Sequence, residues 1–412
     1  MLARMPSLRS SLSFSILLCA CGDDAATSTA ATTTGDTSGA STGASAAESS
    51  GPTTGGLPTT QGDSGDSGDA GATGSTGPDT TSPTAATGTT DTTGTTGTTG
   101  TTGTTDMTGP GDTTTGDTTT GGSVTVYDPN VDGPWEVEHI TGEQTVGGVK
   151  ISMDAYYPAG GPEPGPYPVV LIAHGFQLPP AQYTSYAQRL ASHGYVALTV
   201  DFQAGLFNPD HVAYAKQVLG GIDWVAQEAT LGPVADTDNV GLTGHSLGGK
   251  LAVLGATMDP RVRASITLDP VDGAMNCDPQ KCPDVSNLLP LDIPLGFVGE
   301  TLDAQGGFMS CAPAADNFLT FYKNTTAPAL AVTVLGANHM SFLDDLAGCG
   351  FTCSFCNAPT LDNAVVNDLS RAFVVAFYGR HLRGIVEYDL YLTGAEAQAR
   401  YVDMGLVEIA SK

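Results

Sequence analysis

The residues best suited to chemistry lie in one short stretch, 240–250, which reads Val-Gly-Leu-Thr-Gly-His-Ser-Leu-Gly-Gly-Lys. Its apolar first half predicts a buried strand, and residues 251–256 predict a helix. A Gly-x-Ser-x-Gly motif between a strand and a helix is typical of a turn that lifts a nucleophilic serine, here Ser246, above a sheet. Gly244 and Gly248 suit this turn because a Cβ at either position would collide with the neighbouring chain. We therefore predict that Ser246 is a nucleophile.

A serine hydroxyl is a weak nucleophile until a base accepts its proton and an acid orients that base. In folds that carry this turn, the acid follows the serine and the histidine comes last. After Ser246 the sequence contains His339 and His381. His381 lies in a predicted helix among arginines, which is typical of a surface residue. His339 directly follows a predicted strand, so we predict that His339 is the base.

Two aspartates are candidates for the acid. Asp269 ends the predicted strand 264–268, and Asp303 follows the predicted strand 295–298. Both strand ends border the same crevice, so both positions are usable. Position alone slightly favours Asp303, because many hydrolases place the acid one strand later.

Acyl transfer also needs two backbone N–H groups that stabilise the oxyanion. Leu247 follows the nucleophile at the start of a helix and supplies one. The loop after the predicted strand 169–173 supplies the other, and Phe176 is the candidate. We expect His174 to support this loop through its side chain. We expect His245 to point away from Ser246 and to have no catalytic role.

Short apolar segments alternate with helical patterns through the second half of the chain. The predicted strands are 135–140, 149–157, 169–173, 195–200, 240–244, 264–268, 295–298 and 331–335. The predicted helices include 182–192, 210–227, 251–256 and 374–382. Such alternation predicts an α/β domain over 123–412, with a mainly parallel, doubly wound sheet and helices on both faces. Ligands on these sheets bind beyond the carboxyl ends of the strands, where Ser246 is expected.

The first 122 residues have a different composition. Residues 1–21 carry arginines, a short apolar run and Leu-Cys-Ala-Cys-Gly, a signal-peptide pattern that resembles a bacterial lipobox. That resemblance predicts export and a lipid anchor on Cys21; an ordinary secretory signal cut elsewhere is the alternative. Residues 22–122 are rich in Thr, Gly, Ser and Asp and hold no Lys or Arg. With little to bury, they predict a disordered acidic stalk.

Charge and cysteine content narrow the possible partners further. The formal net charge of −28 makes nucleic acid and anionic membrane surfaces unlikely partners, so membrane contact is expected only through the lipid. Six cysteines remain in the domain, and export favours three disulfides among fifteen possible pairings. A metal site at the last three cysteines is the less favoured alternative, because no fourth ligand stands nearby. The six are Cys277, Cys282, Cys311, Cys349, Cys353 and Cys356.

Several segments together resemble the chlorophyllases, with platelet-activating-factor acetylhydrolases and cutinase-like polyesterases as wider kin. The resemblance runs from about residue 168 to 384. It rests on His174-Gly175-Phe176, on 191–195, on 244–250, on Asp269-Pro270-Val271-Asp272-Gly273 and on 339–345. It implies an α/β-hydrolase fold and ester hydrolysis, and it assigns the role of the acid to Asp269. Plant chlorophyllases usually have arginine where Leu247 stands, so chlorophyll itself is not implied as the substrate.

The combined prediction is an exported, lipid-anchored serine esterase of the cell envelope that needs no metal or cofactor. Phe176, Met340 and Phe342 suggest an apolar acyl or alcohol group in a small or polymeric ester. A lipase or cutinase-type polyesterase is the alternative among enzymes. The alternative from another class is a non-catalytic binding lipoprotein with a hydrolase-like domain.

Overall fold

The part of the chain that the computed structural model describes comprises residues 125–205, 207–273, 277–304 and 310–412. All of them belong to one of the two units into which the chain divides, Pro110–Lys412. The predicted signal peptide, Cys21 and the stalk lie outside the described residues. Within the described part, no helix is both long enough and apolar enough to cross a membrane.

In these residues nine strands form one sheet in the order β1-β2-β4-β3-β5-β6-β7-β8-β9. The strands are β1 Glu136–Val146, β2 Val149–Gly160, β3 Tyr167–Ala173, β4 Val196–Asp201, β5 Ala235–Gly244, β6 Val262–Leu268, β7 Leu295–Glu300, β8 Ala329–Val334 and β9 Val407–Ser411. The six consecutive strands β4-β3-β5-β6-β7-β8 are parallel to one another. The first two strands and β9 pair antiparallel at the two edges.

Helices connect the strands and cover the sheet. They are α1 Thr184–Ser192, α2 His211–Gln227, α3 Leu247–Ala256, α4 Phe318–Asn324, α5 Asn363–His381, α6 Asp389–Leu392 and α7 Ala395–Ala397. Shorter 3-10 turns occupy Pro180–Tyr183, Val285–Leu288, His339–Phe342, Leu346–Phe355 and Val386–Tyr388, and a π-helical turn occupies Gln398–Val402. The predicted α/β fold with a mainly parallel sheet is therefore confirmed.

The central strand β3 shows why the sheet is covered on both faces. All seven of its residues are buried. Val170 and Ile172 pack into the core that contains residues of α1 and α5. Val169 and Leu171 pack into the opposite core, formed with α2, α3 and α4. A strand buried on both sides is a continuous apolar run rather than an alternating one, as the sequence of β3 shows.

Helix α4 and strand β9 are among the elements that were not predicted from the sequence. Helix α4 is only seven residues long, and its register is fixed by burial of Phe318 and Phe321 rather than by a long periodic pattern. Strand β9 is five residues long and lies at the sheet edge, where mainly Val407 is buried. Short edge strands carry little hydrophobic signal, so pairing with β8 is what defines this one.

All six domain cysteines form disulfides in the described residues, which confirms the default expectation. The pairs are Cys277–Cys282, Cys311–Cys356 and Cys349–Cys353. These bonds use the sulfurs of the last three cysteines, so that cluster does not offer thiolates to a metal. The longest bridge closes 45 residues and includes β8 and the segment that follows it.

Candidate active site

The Gly-x-Ser-x-Gly turn joins the end of β5 to the start of α3. Ser246 has φ 56° and ψ −120°, a conformation that L-residues rarely adopt. A Cβ on Gly244 would lie 2.3 Å from the carbonyl oxygen of Gly248, and one on Gly248 would lie 2.1 Å from that of Ala173. Only glycine therefore fits on either side of the serine, and the turn is held in a tight, strained shape.

The backbone of Ser246 lies directly against the segment that carries Asp269. Its N–H donates to the carbonyl of Leu268 at 3.1 Å, and its own carbonyl accepts from Val271 N at 3.2 Å. These two bonds hold residues 268–271 alongside the turn. Asp269 lies between them and is also in the left-handed region, with φ 42°. The serine and this carboxylate are therefore neighbours across two strand ends.

His339 is bound to Asp269 through its ring. Nδ1 of His339 lies 2.6 Å from Oδ2 of Asp269, and both side chains are buried, at 3% and 0% exposure. Burial raises the pKa of Asp269, and the bond and charge of His339 act in the opposite direction. Because Nδ1 donates to the carboxylate, Nε2 is the nitrogen left to act as a base. Asp269, rather than Asp303, thus faces the ring.

Asp303 binds the same histidine in a different way. Its Oδ2 accepts the backbone N–H of His339 at 2.8 Å. Its Oδ1 accepts from the backbone N of Asn357 at 2.7 Å and from Asn357 Nδ2 at 3.0 Å. This fully buried carboxylate therefore fixes the chain at His339 and does not contact the ring. Both candidate acids act on His339, one on its imidazole and one on its main chain.

A disulfide lies beside this second contact. Carboxylate oxygen and sulfur atoms of Asp303, Cys311 and Cys356 are all within 4.8 Å of one another. Cys356 immediately precedes Asn357, which also donates through Nδ2 to the carbonyl of Leu302 at 2.7 Å. The Cys311–Cys356 bridge therefore anchors the segment that donates to Asp303.

A third buried carboxylate stands at the end of β7. Glu300 is 2% exposed, and its Oε2 accepts the backbone N–H groups of Leu302 and Asp303, the latter at 2.8 Å. Its Oε1 is buried without a hydrogen-bond partner among the described residues, as is Oδ1 of Asp269. Burial, and then the negative charge of Asp269, raise the pKa of Glu300 to about 8. At neutral pH Glu300 is therefore mainly protonated.

Glu300→Gln should remove a pH-dependent loss of stability. The pKa of Glu300 rises on folding from its ordinary 4.5 to about 8. Ionisation therefore favours the unfolded chain, and the wild type loses stability through this group as pH rises across that window. Glutamine cannot ionise, so the free energy of unfolding of the variant should increase relative to wild type from pH 4.5 to pH 8. Urea unfolding at several pH values measures this difference. The exposed Glu387→Gln is the control, and an equal pH dependence in both variants would contradict the expectation.

The predicted oxyanion donors lie at the start of α3 and on the loop that follows β3. Leu247 is the first residue of α3, and the N–H groups of a helix's first turn have no partner within the helix. Phe176 follows Gly175, whose carbonyl accepts from His174 Nδ1 at 2.8 Å and from Leu178 N at 3.1 Å. That carbonyl and the Phe176 N–H belong to one planar trans peptide, so fixing the carbonyl also fixes the direction of the N–H.

Other residues singled out in the sequence have structural contacts. His174 stacks on Phe202 with ring centroids 4.0 Å apart, and its Nε2 contacts the Phe202 carbonyl at 3.1 Å. His381 is half-buried against Phe377 and is not the surface residue expected. Burial lowers its pKa to about 4.

The expected apolar neighbours of the substrate need a correction. Phe342 is fully buried and Met340 is 7% exposed, because both belong to the core formed with α1 and α5. Neither side chain is therefore open to a ligand in this structure. Phe176 is 40% exposed, so it remains available beside the turn.

A buried ion pair joins α3 to the segment after Asp269. Lys250 Nζ lies 2.8 Å from Oδ1 of Asp272 and donates to its backbone carbonyl at 2.7 Å. Asp272 also accepts the backbone N–H groups of Val285 and Ser286. Separating the two side chains would leave an uncompensated charge in the protein interior. The pair therefore holds the segment that contains Asp269 and Asp272 against α3.

Sequence reasoning missed Glu300, Asn357 and the partner of His245, Tyr183. Glu300 ends β7 at the carboxyl edge, and that position is a signal that could have identified it. Asn357 follows a cysteine, but its contact with Asp303 spans 54 residues and lies beside the Cys311–Cys356 disulfide. Tyr183 lies in a 3-10 turn, and nothing in its local sequence indicates a contact with His245 in the Gly-x-Ser-x-Gly turn.

The family model described as Chlorophyllase matches residues 152–408. Chlorophyllase-1 of Arabidopsis thaliana is 32% identical over 209 residues, 45% of this chain and 64% of the plant protein. Bis(hydroxyethyl) terephthalate hydrolase of Streptomyces coelicolor is 29% identical over 168 residues, 41% and 48% of the two chains. Cutinase 2 of Thermobifida cellulosilytica is 24% identical over 232 residues, 55% and 74%. The chain thus spans less than two thirds of the first two proteins.

Proposed function

Because the chain belongs to the chlorophyllase family, we propose that it is a serine hydrolase of carboxylic esters. The observation that carries this proposal is the 2.6 Å contact between Asp269 and the ring of His339, buried beside the backbone of Ser246. The names of the chlorophyllase, cutinase and terephthalate hydrolase relatives are consistent with it, since each denotes an ester hydrolase.

The proposed reaction proceeds in two halves. Nε2 of His339 accepts the Ser246 proton while Oγ attacks the ester carbonyl carbon, and Asp269 stabilises the imidazolium. The N–H groups of Phe176 and Leu247 hold the oxyanion of the tetrahedral intermediate. Its collapse breaks the bond to the alcohol, which leaves with the proton from His339. Water then attacks the acyl-enzyme by the same route, releasing the carboxylic acid and restoring Ser246.

We propose an apolar ester as the substrate class. Phe176 is 40% exposed and Phe207 is 86% exposed, and large exposed aromatic residues on adjoining loops are typical of binding surfaces. Their loops are joined by a hydrogen bond from Gln177 Nε2 to the carbonyl of Ala204 at 3.2 Å. We propose that the apolar acyl or alcohol group of the substrate lies on these rings while its ester carbonyl reacts with Ser246.

Hydrolysis of p-nitrophenyl esters of increasing acyl length by the full chain tests both proposals. Wild type should turn over every ester and favour medium or long chains. Phe207→Ala should raise KM about tenfold for long chains and leave acetate unchanged, because partial loss of ring burial removes on the order of 1–2 kcal/mol. The control is Met404→Ala, an exposed apolar residue before β9. If the wild type hydrolyses none of the esters, the esterase proposal is wrong. If Phe207→Ala changes KM equally for short and long acyl chains, the proposed role of Phe207 is wrong.

A cutinase-type polyesterase is the second candidate, favoured by the cutinase and terephthalate hydrolase relatives. Release of soluble acids from an aliphatic polyester film would support it, and turnover confined to soluble esters would exclude it.

We also propose export and lipid anchoring at Cys21, on the basis of the pattern in residues 1–21. Incorporation of labelled palmitate that persists in Cys21→Ser would contradict the anchor.

A further inference from the structure

Two buried polar side chains take no part in the proposed reaction, yet they connect two of its loops. Tyr183 and His245 are both 0% exposed. The hydroxyl of Tyr183 lies 2.8 Å from Nδ1 of His245 and 3.1 Å from the backbone N of Gly175. Nε2 of His245 lies 2.8 Å from the backbone carbonyl of His339. We call this chain of contacts, Gly175–Tyr183–His245–His339, the buried link.

The chemistry of the four groups fixes the direction of every hydrogen bond. The carbonyl of His339 can only accept, so Nε2 of His245 carries a proton. Burial, and then the neighbouring His339, keep the pKa of His245 well below its usual value, so Nδ1 is unprotonated and accepts from the Tyr183 hydroxyl. The same hydroxyl oxygen accepts the N–H of Gly175. Each donor in the buried link therefore meets one acceptor.

The two ends of the buried link are the two places where position matters most for acyl transfer. At one end, Gly175 immediately precedes the Phe176 N–H, the proposed oxyanion donor. At the other end, the His339 carbonyl belongs to the residue whose ring is the proposed base. A side chain on Gly175 would lie 3.0 Å from Nδ1 of His245 and 2.7 Å from Leu178, so the loop is closely packed onto the buried link.

We propose that Tyr183 and His245 are positioning residues that hold His339 at a fixed distance from the loop that carries the Phe176 N–H. Neither residue touches the reacting atoms. His339 is held from two sides, since Asp303 accepts its N–H and His245 donates to its carbonyl. The inference rests on the proposed function, because it assigns this role in the same reaction.

Tyr183→Phe in the full chain removes one hydroxyl and both of its hydrogen bonds. We expect kcat for p-nitrophenyl butyrate to fall by between about 10-fold and 10²-fold with KM nearly unchanged, because a small misplacement of the oxyanion donor affects mainly the transition state. The control is Tyr378→Phe, which removes an equally buried hydroxyl bonded to Thr243 Oγ1 at 2.7 Å. It should lose stability and keep its kcat. Equal kcat values in the two variants would overturn the proposal.

A second pair of variants separates hydrogen bonding from packing. His245→Gln keeps one acceptor and one donor at nearly the spacing of the ring nitrogens, whereas His245→Leu keeps only volume. We expect the glutamine variant to retain at least about tenfold more kcat than the leucine variant. Equal losses in two folded variants would show that His245 only fills space.

A spectroscopic readout keeps this inference separate from the esterase proposal. In ¹⁵N spectra of the wild-type protein, His245 should remain the Nε2–H tautomer from pH 5 to 9. Hydrogen exchange at the Gly175 amide should accelerate in Tyr183→Phe and not in Tyr378→Phe. If wild type hydrolyses no ester, the proposed function fails. If the exchange rate at Gly175 is unchanged in Tyr183→Phe, the buried link fails, whatever the activity.

Discussion

Ser246→Ala is expected to abolish ester turnover, with kcat lower by about 10⁶-fold. Alanine removes the only atom of this residue that can attack a carbonyl, and the φ of 56° is as accessible to alanine as to serine. The fold and the affinity for the ester should therefore change little. Steady-state hydrolysis of p-nitrophenyl butyrate, with thermal unfolding of the same preparation, measures both quantities.

The control for this loss is Ser265→Ala, which removes another buried hydroxyl, bonded to the Leu242 carbonyl at 2.8 Å. That variant should lose stability and keep its turnover. A Ser246→Ala protein that hydrolyses esters at the wild-type rate would show that another residue is the nucleophile. Wild type that binds an ester without ever hydrolysing it would instead support the binding-lipoprotein alternative.

Asp269→Asn should lower kcat by about 10⁴-fold while leaving the fold intact. The carboxylate accepts from Nδ1 of His339 at 2.6 Å, and this bond fixes the tautomer in which Nε2 is the base. An amide at this position can donate to Nδ1 and so favours the wrong tautomer. It also removes the negative charge that stabilises the imidazolium. The measurement is kcat for p-nitrophenyl butyrate with the KM determined in parallel.

Asp303→Asn is the matched comparison, because Asp303 contacts the same histidine only through its main chain. Its two oxygens face donors from His339 and Asn357, so an amide nitrogen placed there meets at least one donor. We expect a lower unfolding temperature and a kcat loss of about 10²-fold or less. The opposite order of severity would exchange the roles of the two aspartates and contradict the family resemblance at Asp269.

The position of the turn and of the strand ends was predictable, because both depend on local sequence. Glycines, an apolar run and the helix after Ser246 define the turn without knowledge of the rest of the chain. The choice between Asp269 and Asp303 did not follow from position, since β6 and β7 are adjacent and end at the same edge. Side-chain direction decides it, and a strand pattern does not specify the direction of a residue beyond the strand end.

The contacts that hold His339 in place depend on long-range packing. Tyr183 and His245 are 62 residues apart, and Tyr183 belongs to a short 3-10 turn with no periodic pattern. The sequence suggested that His245 points away from the nucleophile, but it did not indicate that both ring nitrogens of His245 are hydrogen-bonded. Hydrogen-bond networks of this kind form only where several secondary-structure elements meet. Local sequence therefore does not indicate them until the fold is known.

Two strained backbone conformations in the site belong to the proposed nucleophile and to the proposed acid. Ser246 and Asp269 both have positive φ, and each such non-glycine residue costs roughly 1–2 kcal/mol. Glycine would relieve that cost at either position and would remove the reactive side chain with it. Selection of this protein for heat resistance alone would therefore favour variants that lack the side chains proposed for catalysis. A directed-evolution programme on this scaffold has to screen for turnover at every round, since its stability optimum and its activity optimum lie at different sequences.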